Sequence, residues 1–194
     1  TLIGTKPLVI KSVGPNATIK DSTASVKVTL TAETTAGYKD GQATCYYSTT
    51  GEPESYLEFF ATNSFKHAQD LYLATGTYKY FIKCIDLGGN SDEDSVTFKV
   101  ESDSTAPIVV RAFHYESYLK IITNEKADCV YDAVDCTYQF EDGNAMKVLN
   151  DIEHYADWDT TKNYYIKCKD DYGNKPMPNQ CSIVVRPFEV FEEG

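Results

Sequence analysis

Apolar and polar residues alternate along much of this chain, whereas sustained helical periodicity is hard to find. Val26-Lys27-Val28-Thr29-Leu30-Thr31 alternates strictly and places Val26, Val28 and Leu30 on one face of a strand. From Tyr78 to Ile85 the strongest strand sets Tyr78, Tyr80, Ile82 and Cys84 on one face and Lys79, Phe81 and Lys83 on the other. Val96-Thr97-Phe98-Lys99-Val100 repeats the pattern. Pro7-Leu8-Val9-Ile10 reads as a short edge strand, because proline sits where no ladder donor is needed. Ala43-Thr44-Cys45-Tyr46-Tyr47 is another strand, and Phe59-Phe60 and Leu71-Tyr72-Leu73 mark two shorter elements. Gly14-Pro15-Asn16, Tyr38 to Gly41 and Ser48 to Pro53 supply turns. Seven short strands in about 100 residues, joined by Gly, Pro and Asn turns, predict a β-sandwich.

The pattern then recurs. Cys45 and Cys84 are 39 residues apart, and so are Cys129 and Cys168. Tyr80-Phe81-Ile82-Lys83-Cys84-Ile85-Asp86 is matched by Tyr164-Tyr165-Ile166-Lys167-Cys168-Lys169-Asp170, and a Gly-Asn step follows each, at Gly89-Asn90 and Gly173-Asn174. Ala127-Asp128-Cys129-Val130-Tyr131 answers Ala43 to Tyr47, Leu119 to Thr123 answers the strand around Val28 to Thr31, and Ile108-Val109-Val110 repeats the opening strand. An internal repeat of this kind predicts two modules, 1–103 and 104–194, meeting at the polar, semi-stiff stretch Glu101 to Pro107. The middle of the second copy is less regular, and Ala145 to Tyr155 holds enough helix formers to predict a short turn or two of helix.

Six cysteines, four of them at repeated separations, read as three disulfides and an oxidising compartment. The repeat assigns Cys45–Cys84 and Cys129–Cys168, which leaves Cys136–Cys181 to tie down the terminal strand Cys181 to Val185. No Cys-x-x-Cys spacing supports a zinc knuckle. Closing a loop of about 40 residues removes on the order of 4 kcal/mol of unfolded-chain entropy, a large gain for so small a module.

Charge narrows the partners. Residues 1–103 hold 13 Asp/Glu against 9 Lys/Arg, and residues 104–194 hold 16 against 9, with no basic cluster. Such a surface repels phosphate backbones, so no nucleic acid partner is expected. No apolar run of 18 residues is present, so membrane insertion within this segment is not expected either. With no initiator Met and no signal-like segment, either these are expected to have been removed or the chain is an excerpt of a longer parent with further repeats, which a repeat module fits.

Candidate chemistry is sparse. His67, His114 and His154 have no ligand-like spacing and read as surface or strand-edge residues. No Gly-x-Ser-x-Gly elbow occurs, and Gly88-Gly89-Asn90 leads into Ser91-Asp92-Glu93-Asp94 instead of a helix, so no catalytic residue is assigned. The acidic loops Asp86 to Asp94 and Asp170 to Asn174 admit two readings. Asp and Asn could cap their own backbone while Gly takes a positive φ. Alternatively, Asp170 and Asp171 could face Glu101 and Asp103 and hold one calcium ion at the joint, calcium being the one cofactor entertained. Fifteen tyrosines suit cores and amphipathic surfaces, and Asn16-Ala17-Thr18 is an isolated glycosylation match.

These residues give the chain a resemblance. Ala43 to Ser48, Leu73 to Asp86 and the module starter Asp103-Ser104-Thr105-Ala106-Pro107, with Ala127 to Tyr131 and Tyr164 to Asn174 as counterparts, resemble the tandem immunoglobulin-like or fibronectin-III-like repeats of bacterial or archaeal cell-surface proteins. Asp170 to Asn174 followed by Cys181 is also similar to hyalin-type repeats. The resemblance implies an all-β fold of two tandem seven-stranded immunoglobulin-like sandwiches, each with an intradomain disulfide between the third and sixth strands of one sheet. It also implies a non-enzymatic extracellular module, secreted or anchored at a cell surface, that acts as a spacer or adhesive unit and binds a protein or glycan. The alternative is a carbohydrate-binding appendage of a secreted enzyme, for which Tyr155 and Trp158 are the candidate ligand-facing aromatics.

Overall fold

The computed structural model describes residues 6–188, so the outermost ends of both sequence-defined modules lie outside the described residues. The chain divides into two compact units, Thr1–Ser102 and Asp103–Gly194.

In the first unit the alternating segments become β1 (Leu8–Gly14), β2 (Ile19–Asp21), β3 (Val26–Ala36), β4 (Ala43–Ser48), β5 (Leu57–Glu58), β6 (Lys66–Leu73), β7 (Gly76–Asp86) and β8 (Ser91–Ser102). They form a three-stranded sheet β1-β3-β6 and a five-stranded sheet β2-β8-β7-β4-β5. All pairings are antiparallel except β2 with β8. The inner faces of both sheets meet in one apolar core. Leu8, Val26, Val28 and Leu30 come from one sheet and Cys45, Ile82, Cys84, Val96 and Val100 from the other. Period-two alternation explains this directly, since every second residue of β3 is buried.

The second unit repeats the plan with β9 (Val109–Tyr115), β10 (Tyr118–Thr123), β11 (Asp128–Asp132), β12 (Asn144–Ala145), β13 (Lys147–Leu149), β14 (Glu153–Asp157), β15 (Tyr164–Lys169) and β16 (Ile183–Val185). Its sheets are β13-β14-β10-β9 and β12-β11-β15-β16. Leu119, Ile121, Cys129, Tyr164, Ile166 and Cys168 form its centre. Among the described residues each unit thus has eight strand segments where seven are expected. The difference lies in pieces of two or three residues that hydrophobic patterning cannot register.

The region Ala145 to Tyr155 is not helical but strand, turn and strand. The Met146 amide donates to the Cys129 carbonyl at 3.0 Å, tying this segment to β11. Asn150 and Asp151 then take φ of 56° and 63°, which polar short side chains tolerate, and reverse the chain into β14. Sheet pairing overrides the helix propensity of Ala, Met and Leu here. The terminal strand also starts at Ile183, two residues after Cys181.

Cys45 bonds Cys84, Cys129 bonds Cys168 and Cys136 bonds Cys181. The first two pairs join residues directly opposite on neighbouring strands, with Cα atoms 4.0 and 4.1 Å apart. The third anchors the loop after β11 over the outer face of β15. There the Tyr138 hydroxyl donates to the Tyr165 carbonyl at 2.7 Å, and the Lys167 ammonium donates to the Tyr138 carbonyl at 2.7 Å. Lys167, on the outer face of a strand, is consequently only 5% exposed.

Replacing Cys45 and Cys84 together by alanine is expected to destabilise the first unit by about 4 kcal/mol. Denaturant titration followed by far-ultraviolet circular dichroism should show that loss. The fluorescence of Trp158, the sole tryptophan, reports the second unit and should keep its own transition.

Candidate functional sites

The repeated acidic loops are the best-defined polar features. Asp86 closes β7 and Asp170 follows β15; they are 5% and 6% exposed. The Asp86 carboxylate accepts from the Asn90 amide nitrogen of the backbone at 2.9 Å, from Asn90 Nδ2 at 2.8 Å and from the Tyr38 N–H at 2.7 Å. Asp170 accepts from the Tyr172 N–H, the Asn174 N–H and Asn174 Nδ2, each at 2.8 Å. Gly89 and Gly173 take φ of 81° and 90°, which lets both turns close identically. Burial pushes the Asp86 carboxyl up, but the Asn90 amide and the backbone donors together hold it below the usual carboxylate range. In both copies, therefore, Asp and Asn cap their own turn.

The copies differ in what approaches from outside the loop. In the first, the chain passes close to Asp86 at Gly37, where φ is 64° and an added Cβ would lie 2.5 Å from a carboxylate oxygen. In the second, two more carboxylates come up instead. Asp103, Glu125 and Asp170 each offer an oxygen, all within 4.8 Å of one another. Burial, then the charges of Asp103 and Asp170, push the Glu125 carboxyl above its ordinary value. The loop Asn124-Glu125 is held in place by the Ile108 N–H, which donates to Asn124 Oδ1 at 2.7 Å, and by the Thr123 hydroxyl, which donates to the Glu125 carbonyl at 2.7 Å.

Of the four residues read from sequence as a calcium set, Asp103 and Asp170 come together. Asp171 pairs with Lys126 at 3.1 Å, and Glu101 lies in β8 of the first unit, paired with Lys99. Glu125, which sequence reasoning missed, completes the trio. Nothing in the repeat could have indicated it, because it lies in a loop between two strands that match only outside it. Three carboxylate oxygens are a minority of the six to eight that calcium takes.

Two of the histidines are core residues, contrary to the surface assignment. His67 is 2% exposed and His154 is fully buried, whereas His114 is exposed and stacks on Trp158 at 4.3 Å. His67 faces Ala32 and His154 faces Ile121 in their sheets, and each contacts the threonine two residues further along, so the two are equivalent. His67 Nε2 lies 2.9 Å from Thr34 Oγ1, whose hydroxyl donates to the Gly41 carbonyl at 2.6 Å. The Nε2–H is therefore the donor, and Nδ1 accepts from the Thr62 hydroxyl at 2.8 Å. Burial lowers the His67 pKa to about 4, so at neutral pH the imidazole is uncharged and Nδ1 is the acceptor. In the second unit the Thr123–His154 pair is longer, 3.3 Å, and His154 Nδ1 has no partner among the described residues. His67 also lies near Cys45 and Cys84, but both sulfurs are in a disulfide and supply no thiolate to a metal.

The candidate sugar-facing aromatics do not share a platform. Tyr155 is on the outer face of β14, where its hydroxyl donates to Glu153 at 3.1 Å. Trp158 lies beyond that strand, stacked on His114 and packed against the core. The first unit has an open groove of about 450 Å³ lined by Tyr46, Gly51, Pro53, Tyr56, Lys83, Ile85 and Glu93. Its two charged groups neutralise each other in an ion pair at 2.7 Å.

No protein-family model matches this chain, and no curated protein does. Solved structures do resemble it. The fibronectin(III)-like modules of CbhA from Clostridium thermocellum superpose with a TM-score of 0.50 at 13% identity, covering 88% of this chain and 90% of theirs. Domains A168–A170 of titin give a TM-score of 0.54 at 8% identity, over 94% of this chain and 67% of theirs. At such identities the likeness is one of fold. The fold is that of tandem immunoglobulin-like and fibronectin-III-like β-domains.

Two outcomes follow from these sites. Because the folded pKa of His67 lies below its unfolded value near 6.5, its contribution is complete above pH 6.5 and is lost as pH falls toward 4. Denaturant titrations should show the first unit losing up to about 3 kcal/mol over that window, and His67→Gln should flatten the dependence. Glu125 has the opposite sign: its raised pKa means that ionisation opposes folding, so Glu125→Gln should melt higher than wild type at pH 7 in chelator. That advantage should shrink on acidification as Glu125 takes up its proton. A reversal of the two melting temperatures by calcium would place a cation at the trio.

Proposed function

We propose that this chain is a non-enzymatic extracellular module, secreted or displayed at a cell surface, that serves as a stable spacer and protein-binding unit. The observation that carries this reading is the placement of its polar chemistry. The buried groups His67, Asp86 and Asp170 have their nitrogens and oxygens engaged in holding adjacent loops, and His154, whose Nδ1 has no partner among the described residues, is sealed in the core at 0% exposure. Three disulfides in 194 residues fit an oxidising compartment and a fold kept through long exposure outside the cell. Immunoglobulin-like and fibronectin-III-like folds are in general structural or binding modules. Among the described residues no helix is long and apolar enough to cross a membrane. A carbohydrate-binding role is less well supported, because Tyr155 and Trp158 lie on different surfaces.

Labelling intact cells of the source with a membrane-impermeant amine reagent should modify the protein. Non-reducing peptide mapping of the labelled material should recover the links 45–84, 129–168 and 136–181. Protection from the reagent, or free thiols in the native protein, would contradict the proposal.

A further inference from the structure

One sheet face of the second unit carries side chains that its folding does not require. On the sheet β13-β14-β10-β9, Leu119, Ile121 and Thr123 point into the core, so the alternate residues of β10 point out. Registered beside outward Lys120 are Phe113 on β9 and Tyr155 on β14, with Tyr115 and Tyr118 one step along. These rings surround the lysine: its ammonium is 5.9 Å from the centre of Phe113, 5.3 Å from Tyr115 and 5.2 Å from Tyr155. Glu153 pairs with it at 2.8 Å, and the lysine side chain is left 13% exposed. An outward lysine on a two-layer sandwich is ordinarily solvated; here aromatic rings cover it.

The first unit supplies the comparison. The corresponding outer face of β1-β3-β6 is laced with charge: Lys27 pairs with Asp70 at 2.8 Å, the Thr29 hydroxyl donates to Asp70 at 2.6 Å, and Lys11 and Lys66 flank Glu33. That face exposes one ring, Tyr72, and Val9 among these charges, so the scaffold tolerates a mostly polar face there, and the clustered rings of the second copy have another cause. The other sheet of the second unit is partly covered by the Cys136 loop, which leaves this one open.

We infer that the outer face of β9, β10, β13 and β14 in the second unit is a docking surface for a protein segment with an apolar centre and an acidic rim. This deepens the protein-binding reading above and rests on it. Two observations select the occupant. First, the ring pairs Phe113–Tyr115 and Tyr118–Tyr155 stand at 88° and 86°, so they offer ridges and pockets for side chains instead of the coplanar platform that sugar rings stack on. Second, the Lys120–Glu153 pair is internally neutral, and the exposed cations Arg111 and Lys147, which lie over Phe113 and Tyr118 at 5.1 and 5.5 Å, outnumber the one other strand carboxylate on this face, Asp157 opposite Tyr118. Arg111 is one of two arginines in a chain of net charge −11. Aromatic rings and arginine are enriched at interface centres, and the exposed cations Arg111 and Lys147 are complementary to carboxylates at a rim.

A phage-displayed random dodecapeptide library selected on the whole chain at low salt provides the probe. Selected peptides should carry Asp or Glu flanking apolar residues and should weaken with salt. Binding should fall about tenfold or more for the double variant Arg111→Glu/Lys147→Glu and for Phe113→Ser, and should not change for Lys27→Glu in the first unit. Trp158 fluorescence and melting temperature establish that the variants are folded, and the charge reversals, being at exposed positions, retain the test if Phe113→Ser is not. Peptides that bind the wild type and all variants equally would overturn the face while leaving protein binding intact. Failure to select any peptide would overturn both. Displacement by oligosaccharides, or self-association in sedimentation velocity that Arg111→Glu abolishes, would overturn the assigned partner chemistry.

Discussion

Each unit depends on a covalent link between two residues that already face each other across a strand pair. Cys45 opposes Cys84 between β4 and β7, and Cys129 opposes Cys168 between β11 and β15. Because side chains alternate with period two, a slip of one residue in either pair would turn the core face outward. The bridge forbids that slip at the centre of the sheet. Both sulfurs are buried, so the link also occupies core volume that Ile82 or Ile166 would otherwise need a neighbour to fill. No disulfide joins one sheet to the other, so that attachment rests mainly on packing of the inner faces of β3 and β10, helped in the first unit by the Ile10 N–H, which donates to Asp92 at 2.7 Å.

That arrangement accounts for what could be read from sequence. Disulfide partners, the strands around them and the division near residue 103 were legible because covalent links and burial both impose regular spacing on a chain. What escaped was irregular in a specific way. The segment Ala145 to Tyr155 has residues that favour helix in isolation, and only the pairing of β13 with β14 and the bond from Met146 to Cys129 make it extended. Short pairings such as β2 with β8 involve three residues and leave no periodicity to detect.

The buried polar residues were harder still. A histidine in an alternating strand carries no sign of whether it faces inward, and His67 and His154 reveal themselves only through the threonine two residues beyond their cross-strand neighbours, Thr34 and Thr123. The acidic loops show the converse. Their Asp-to-Asn spacing of four was visible in both copies, and the self-capping reading of it describes both. Whether other carboxylates join depends on loops whose lengths the repeat does not preserve, and so Glu125 could not be anticipated from the Asp170 motif.

Comparison between the copies then separates what the fold needs from what it merely permits. Features present in both, the facing cystine, the Asp–Asn turn and the Thr–His pair, answer problems every such unit shares: register, loop closure and the burial of a polar ring. Features confined to one copy answer something else. The first unit solvates its outer sheet with Lys, Thr, Glu and Asp, at little energetic gain, since exposed ion pairs contribute 0–1 kcal/mol or so. The second sets aromatic rings around Lys120 on the equivalent surface and keeps one of the chain's few arginines beside them. Exposing rings favours aggregation unless something limits it, and the cations and the Glu153 carboxylate among them supply that limit. A surface with both the apolar area for contact and the charge to prevent indiscriminate contact is arranged for selective binding more than for solubility alone.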